Sequence, residues 1–253
     1  MKFLHVLYIT TLSLVYLSVK LLALSDYYPY YKNMRNLQPV ELFKKGLSEL
    51  GITFTEEQGN AFMTYLSELK KWNKAYNLTG LKTDEDIIIK HFLDSLLYLT
   101  ALPKGPLKVA DIGSGAGFPG IPVKIIRPEI EMYLIEPTGK KTAFLRHIIR
   151  HLHLNDIHVI EKRIEDTKVS DEIPSPVDAA VTRALFDVRE FIKKASHIVR
   201  QDGILVLSKG PKAREEVREL REVKYEVLPF TLPLSNMQRH IIVVNLPINP
   251  AIE

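Results

Sequence analysis

The chain has 253 residues, of which 46% are hydrophobic and 25% charged, a composition that excludes a disordered or fibrous protein. It contains no cysteine, which excludes disulfides, thiolate zinc sites and any cysteine nucleophile. The net charge of +4 is weak evidence for a polyanionic partner, because residues 1–33 hold three lysines against one aspartate and the remainder carries only +2.

A nearly continuous apolar run over residues 3–24 opens the chain. About 20 such residues can span a bilayer as a membrane anchor, and Lys2 before the run is also typical of a signal peptide. A third interpretation takes Met34 as the true start and residues 1–33 as upstream sequence. We favour this third interpretation, because nothing after residue 34 is typical of an exported protein.

Three helical patterns follow this leader. Apolar residues recur at helical spacing over residues 42–50, 62–69 and 86–102. The second pattern begins at Thr55-Glu56-Glu57, which has the character of a helix cap. We therefore expect a helical subdomain over residues 34–103.

From residue 104 the pattern changes to alternating strands and helices. The predicted strands are residues 108–112, 131–136, 157–161, 177–182, 203–208 and 240–246. The predicted helices are residues 121–126, 140–151, 188–199 and 212–223. This alternation predicts an α/β domain over residues 104–248 with a doubly wound, mainly parallel sheet.

A glycine-rich turn follows the first predicted strand. Residues 115–120 fit the dinucleotide pattern G-x-G-x-x-G, which alone is weak. Asp111 stands directly before the glycines, where its carboxylate would repel a pyrophosphate. S-adenosylmethionine instead brings a sulfonium and an ammonium, which a carboxylate attracts. Asp111 followed by Gly113, Gly115 and Gly117 therefore predicts a site for this methyl donor rather than a turn that only packs a strand on a helix.

Two further places are candidates for nucleoside contact. Glu136 ends the second predicted strand 19 residues after Gly117, the spacing at which an acid meets ribose hydroxyls. Both cofactor classes use that contact, so Glu136 indicates a nucleoside without identifying it. After the third strand comes Arg163-Ile164-Glu165-Asp166, where an acid or the backbone could bind the adenine amino group and Ile164 could flank the ring. An exposed charged loop is an equally good interpretation of this segment.

Motifs that the sequence lacks reduce the range of possible methyl acceptors. Residues 180–184, at the end of the fourth predicted strand, do not carry the Asn/Asp-Pro-Pro-aromatic motif of enzymes that methylate exocyclic amino groups. Cytosine C5 chemistry needs a cysteine, which is absent. Guanine N7 remains a candidate, because its lone pair can attack a methyl group with positioning and no general base. Oxygen or small-molecule acceptors that use an unrecognised base also remain open.

Several cations near strand ends are candidates for contact with RNA phosphates. They are Lys140, Lys141, Arg146, Arg183, Lys209 and Lys212. Each alone could be a solvated charge, but their recurrence favours RNA contact. Arg183 and Lys209 are also candidates for positioning the reacting groups. His91 and Asp94, three apart on a helix face, are interpreted as structural hydrogen-bonding residues rather than a catalytic pair.

These motifs resemble those of the bacterial small-subunit ribosomal RNA guanine-N7 methyltransferase family, also described as glucose-inhibited division protein B. The resemblance covers about residues 37–246. Its motifs are Trp72-Asn73-Lys74-Ala75-Tyr76-Asn77-Leu78-Thr79, Lys90-His91-Phe92-Leu93-Asp94-Ser95-Leu96, residues 111–122, Gly139-Lys140-Lys141, Thr182-Arg183-Ala184 and Lys209-Gly210.

The resemblance implies a Rossmann-like class I methyltransferase with a seven-stranded sheet and an N-terminal helical extension. It implies S-adenosylmethionine as donor and 16S rRNA or the small ribosomal subunit as partner, in the cytoplasm. We also expect a monomer with no metal and, unless the leader is real, no membrane association. A methyltransferase of a small molecule or protein is the alternative, and a non-catalytic RNA-binding protein of this fold is a further one.

Residue by residue, the resemblance implies cofactor contacts at Gly113, Phe118, Ile164, Glu165 and Arg183. Arg183 then becomes a group beside the cofactor rather than a phosphate contact. Two features depart from the family. The hydrophobic leader is foreign to it, which favours Met34 over Met1 as the start. Glu136-Pro137 stands where an aspartate without proline is common.

Overall fold

The computed structural model describes residues 37–183, 185–218, 220 and 223–247. The predictions for the leader and for Ala184 lie outside these residues. Over the described part of the chain, no helix is long and apolar enough to cross a membrane.

Between residue 37 and the first strand, the structure has three helical elements. Helix α1 spans Pro39–Glu49 and α2 spans Glu56–Tyr76. Thr55 caps α2 as the sequence predicts, because its hydroxyl accepts from the Gln58 N–H at 3.2 Å while the Gln58 side chain accepts from the Thr55 N–H at 2.9 Å. The third element, α3, is α-helical over Asp84–Ile87, π-helical over Ile88–Leu93, α-helical over Asp94–Leu96 and 3-10 helical over Leu97–Thr100.

Strands and helices alternate after residue 107. The strands are β1 Lys108–Ile112, β2 Glu131–Ile135, β3 Ile157–Ile160, β4 Val177–Arg183, β5 Val199–Lys209, β6 Lys224–Thr231 and β7 Gln238–Asn245. The helices between them are α4 Gly120–Ile126, α5 Gly139–His151, α6 Val188–Ala195 and α7 Ala213–Val217.

The seven strands form one sheet in the order β3-β2-β1-β4-β5-β7-β6. The first five strands in this order are parallel to one another, and β7 lies antiparallel between β5 and β6. The predicted α/β fold with a mostly parallel sheet is confirmed. β1 and β4 are neighbours, but the chain continues from β1 to β2 on one side and from β4 to β5 on the other. The crevice between the carboxyl ends of β1 and β4 is therefore the expected ligand site.

Strand β6 is not among the strands predicted from the sequence. Its sequence KYEVLPFT contains a proline, and its side chains are exposed or half-buried because it lies at the edge of the sheet. An edge strand needs no continuous apolar run and tolerates proline. The preceding helix, predicted over residues 212–223, is found over Ala213–Val217, and residues 219, 221 and 222 of the prediction lie outside the described part of the chain.

Side chains alternate between two cores on the two sheet faces, as expected for a sheet covered on both sides. In β1, Val109 packs into one core while Ala110 and Ile112 pack into the other. The helices α1, α2 and α3 contribute to the first core through a run of rings, with centroids 4.3 Å apart for Phe43 and Phe62 and 5.2 Å for Phe62 and Phe92. The helical segment therefore shares its core with one face of the sheet.

Candidate cofactor and RNA site

The glycine turn joins β1 to α4 in a conformation that needs glycine. Gly113, Gly115 and Gly117 have φ angles of 72°, 59° and 101°, in the left-handed region that disfavours side chains. At Gly117 a Cβ atom would also lie 2.6 Å from the Tyr65 hydroxyl and 2.5 Å from Ile121 Cδ1. Around Gly115 the space is open, since the nearest atom to a Cβ would be 3.9 Å away.

Three of the backbone N–H groups of this turn are already hydrogen-bonded within the protein. Those of Gly113 and Ser114 donate to the carbonyl of Ile135 at 2.8 and 3.2 Å, and that of Gly117 donates to the carbonyl of Ser114 at 2.7 Å. A phosphate-binding turn presents such groups to its ligand. This turn instead directs them inward, which disfavours a pyrophosphate.

Glu136 strengthens that conclusion. It is 3% exposed, and its two carboxylate oxygens accept from the N–H groups of Gly115 and Thr138, each at 3.0 Å. Lys141, predicted to contact RNA, lies 3.7 Å from the same carboxylate. An acid therefore lies against the open side of the turn, where it can accept hydrogen bonds from ribose hydroxyls.

Asp111 lies fully buried beneath the turn. Its Oδ2 accepts from the N–H of Gly120 at 2.8 Å, which ties β1 to the start of α4. Its Oδ1 is buried without a hydrogen-bond partner among the described residues. Burial raises the pKa of this carboxyl to about 7, while the Gly120 N–H and the Arg183 charge lower it. An acid with one unpartnered oxygen fits a cationic, phosphate-free ligand such as S-adenosylmethionine.

Ile164 and Glu165 lie in a short 3-10 turn after β3, over Ile164–Asp166. Ile164 is 4% exposed and packs into the second core, while Glu165 is exposed and forms an ion pair with Lys194. The turn follows the carboxyl end of β3. It thus lies at the carboxyl ends of the strands, where the ligand is expected, with the apolar Ile164 side chain turned inward and the acidic Glu165 side chain turned outward.

Arg183, at the end of β4, lies at the centre of a polar cluster. Its Nη2 donates to His91 Nδ1 at 2.8 Å, and its Nη1 donates to the carbonyl of Lys90 at 3.1 Å. Asp94 Oδ2 lies 3.5 Å from the same Nη1. His91 and Asp94 thus converge on Arg183, a third partner that their sequence spacing does not reveal.

Phe118 of the glycine turn stacks against this cluster. Its ring centroid lies 4.3 Å from that of His91 with the planes inclined by 16°, and the Arg183 guanidinium carbon is 5.2 Å from the Phe118 centroid. Lys90 and His91 belong to the π-helical turn of α3, a conformation often found at functional sites. This side-chain cluster therefore joins the helical segment to the carboxyl ends of the strands.

The other predicted RNA contacts divide into two groups. Arg146 lies 2.8 Å from Glu161, and Lys209 donates to the carbonyl of Phe186 at 2.5 Å and lies 2.8 Å from Glu216. Lys140 and Lys212, by contrast, are exposed and have no ion-pair partner in the part of the chain that the structure describes. These two lysines have the accessibility that phosphate contact requires.

Some residues of the site give no functional signal in the sequence. The buried Tyr65 hydroxyl donates to the carbonyl of Ala116 at 2.5 Å, and Arg239 of β7 donates through Nε to Asp94 Oδ1 at 2.9 Å. The helical period marks Tyr65 only as a core residue, and Arg239 lies 145 residues from its partner. No group of three metal-ligating side chains occurs among residues 37–183, 185–218, 220 and 223–247.

Comparisons with known proteins place the chain in a family. The family model described as rRNA small subunit methyltransferase G matches residues 58–242. Ribosomal RNA small subunit methyltransferase G of Geobacter sp. strain M21 is 37% identical over 211 residues, covering 81% of this chain and 96% of the relative. The protein of the same name from Acetivibrio thermocellus is 33% identical over 216 residues, covering 83% and 89%.

A solved structure confirms the fold. A methyltransferase from Pyrococcus furiosus superposes with a TM-score of 0.54 over 74% of this chain and 98% of its own, at 13% identity. With the match of the family model and the identity to these relatives, the family resemblance predicted from the motifs is confirmed. The chain belongs to the rRNA small subunit methyltransferase G family.

Proposed function

We propose that this protein transfers a methyl group from S-adenosylmethionine to N7 of a guanine in 16S ribosomal RNA. The observation that carries the proposal is the phosphate-excluding glycine turn, flanked by the acids Asp111 and Glu136, in a member of an rRNA methyltransferase family. The cofactor and the RNA both occur in the cytoplasm, where the protein would act.

Cofactor binding follows from the chemistry of the turn. The three glycines let the turn adopt its positive φ angles, and Gly115 leaves open space for the methionine part of the cofactor. Asp111 attracts the positive charge of the cofactor. Glu136 accepts from the ribose hydroxyls, exchanging its contact with the Gly115 N–H for them. The adenine would lie against Ile164, with Glu165 at the rim.

The reaction needs no general base. When bound, S-adenosylmethionine supplies a methyl carbon on a positively charged sulfur. Guanine N7 would take this methyl group through its lone pair while the C–S bond electrons stay on the sulfur, so the positive charge would pass to the guanine ring. Since N7 carries no proton, none has to be removed, and the work of the protein is positioning.

The described residues agree with this requirement. Both ring nitrogens of His91 already have partners, at Arg183 and Thr79, and burial together with the Arg183 charge lowers the pKa of His91 to about 3. A histidine in that environment is a poor base. Arg183 and Phe118 instead provide a fixed cation and a ring beside the turn.

RNA would approach over the exposed lysines at the carboxyl edge of the sheet. Lys140 lies at the start of α5 and Lys212 directly before α7, in segments that follow β2 and β5. Their charges release counterions from RNA phosphates without reading the base sequence.

The test is nucleotide-resolution mapping of methylation in 16S rRNA. Primer extension or mass mapping of rRNA from a deletion strain should show the loss of one N7-methylguanine, and complementation should restore it. In vitro, purified protein is offered small ribosomal subunits, naked 16S rRNA and a pool of free metabolites. An unchanged N7-methylguanine content in the deletion strain, or methylation of metabolites alone, would overturn the proposal.

A further inference from the structure

The polar partners of the Arg183 side chain among the described residues come from α3. They are the Lys90 carbonyl at 3.1 Å, His91 Nδ1 at 2.8 Å and Asp94 Oδ2 at 3.5 Å. A guanidinium has five N–H donors, so this clamp uses only part of its capacity. The π-helical turn therefore fixes the direction of the guanidinium and leaves donors for a ligand.

The contact between Arg183 and His91 determines the tautomer of the imidazole. A guanidinium only donates, so His91 Nδ1 must carry the lone pair and Nε2 must carry the proton. The Nε2–H then donates to Thr79 Oγ1, which lies 2.7 Å away. The imidazole thus acts as an acceptor on one side and a donor on the other.

Thr79 is itself held by its own loop. Its N–H donates to Asn73 Oδ1 at 2.9 Å, and its Oγ1 also accepts from the N–H of Leu81 at 3.2 Å. With these bonds in place, the position of Oγ1 is fixed, and the hydroxyl can accept from the imidazole. The segment that follows α2 therefore provides an acceptor for the tautomer that the Arg183 contact requires.

Resting on the proposed function, we propose that His91 is a positioning residue for methyl transfer: its Nδ1 lone pair orients the Arg183 guanidinium against Phe118 beside the cofactor, and Thr79 accepts from the Nε2–H of that tautomer. Protonation of the ring would place a second cation 2.8 Å from Arg183 and remove that lone pair. The low pKa of His91, caused by burial and by Arg183, agrees with a permanently neutral ring.

Two amide variants separate this role from simple packing. Asparagine places its amide near the position of Nδ1, whereas glutamine places its amide near that of Nε2. Both lose the ring that stacks on Phe118. If His91 acts through its Nδ1 lone pair, His91→Asn retains an acceptor for Arg183 and His91→Gln does not.

The primary readout is the dissociation constant of S-adenosylmethionine, measured by calorimetry without RNA. A hydrogen bond to a charged group contributes about 1.5–3 kcal/mol, so His91→Gln should raise this constant about 10- to 100-fold. His91→Asn should change it less than about 3-fold, since the bond is kept. Thermal unfolding of each variant verifies that it is folded.

A double-mutant cycle with Arg183→Ala completes the test. Because His91 acts through Arg183, His91→Gln should have no further effect on cofactor affinity in the Arg183→Ala background. Equal losses of cofactor affinity in His91→Asn and His91→Gln, or additive losses of affinity in the double mutant, would show a packing role and overturn the proposal. Wild-type protein that binds the cofactor but leaves 16S rRNA unmethylated would instead refute the proposed function. The role of His91 would still be tested in that case, because the cycle compares only dissociation constants of the cofactor.

Discussion

The buried hydroxyl of Tyr98 accepts a hydrogen bond from the backbone N–H of Ser208 at 3.0 Å. The same hydroxyl donates to the carbonyl of Thr182 at 2.5 Å. It thus bridges β4 and β5 at their carboxyl ends, directly before Arg183 and Lys209. One side chain of the helical segment therefore connects the two strands that end in candidate site residues.

Replacing Tyr98 by phenylalanine should destabilise the protein by about 1–3 kcal/mol, because the variant leaves a buried N–H and a buried carbonyl without this partner. Urea unfolding followed by circular dichroism measures the change. Tyr76→Phe is the matched control, since Tyr76 is 45% exposed and its loss of a hydroxyl should cost little. Equal midpoints for Tyr98→Phe and the wild type would contradict the importance of the bridge.

Gly120 allows the close approach of β1, β2 and α4. A Cβ atom at this position would lie 2.5 Å from Leu134 Cδ2 and 2.8 Å from Asp111 Oδ2. Gly120→Ala should therefore cost about 1–3 kcal/mol of stability by overpacking and weaken cofactor binding by displacing Asp111. The measurement is urea unfolding together with calorimetric titration of S-adenosylmethionine.

Gly80→Ala provides the control for this substitution, because no atom lies within 4 Å of a Cβ built there. It should leave stability and cofactor affinity within experimental error of the wild type. If both alanine variants behaved alike, the close contact at Gly120 would not be a determinant of the site.

The sheet and the glycine turn can be predicted from the sequence because local signals specify them. Buried parallel strands appear as apolar runs, and a turn that needs positive φ angles needs glycine at fixed positions. Strand β6 lacks that signal, because an edge strand with exposed side chains has no apolar run. Elements that bury few apolar side chains therefore have only a weak hydrophobic pattern in the sequence.

The polar cluster could be predicted only in part. Arg183 and Asp94 lie 89 residues apart, and their contact depends on how α3 packs against the end of β4. Periodicity places His91 on a helix face but does not show what that face meets. The π-helical turn changes the direction of the side chains within α3, which a spacing of 3.6 residues does not anticipate.

Asp111 should make stability depend on pH. Its pKa is about 7 in the folded protein and about 3.9 in an unfolded chain, so the folded state binds the proton more tightly. The contribution of Asp111 is therefore present at low pH and is lost as pH rises from about 4 to 7. Relative to Asp111→Asn, the wild type should lose at most about 1.4 kcal/mol per pH unit in that window.

The measurement is the free energy of unfolding in urea for both proteins at several pH values between 5 and 8. The comparison with Asp111→Asn is needed because His91 acts in the opposite direction. Its lowered pKa favours the folded state more as pH rises toward 6.5, and that contribution cancels between the two proteins. A difference in unfolding free energy that stays constant with pH would show that Asp111 is ionised in the folded state throughout.

Lys140 and Lys104 allow the RNA surface to be tested with the same change of charge. Lys140 is exposed at the start of α5, on the carboxyl side of β2, whereas Lys104 is exposed shortly before β1, at the opposite edge of the sheet. Lys140→Ala should reduce the slope of log affinity against log salt concentration by about 1 for 16S rRNA, because one phosphate contact is lost. Cofactor affinity should not change.

Lys104→Ala should leave that slope unchanged, although both variants lower the net charge equally. Filter binding at several salt concentrations gives the two slopes. If both variants reduced the slope to the same extent, the effect would come from overall charge and not from a contact surface. A reduced slope for Lys140→Ala alone would place the RNA backbone at the sheet edge that carries the glycine turn, where a guanine could reach the methyl group.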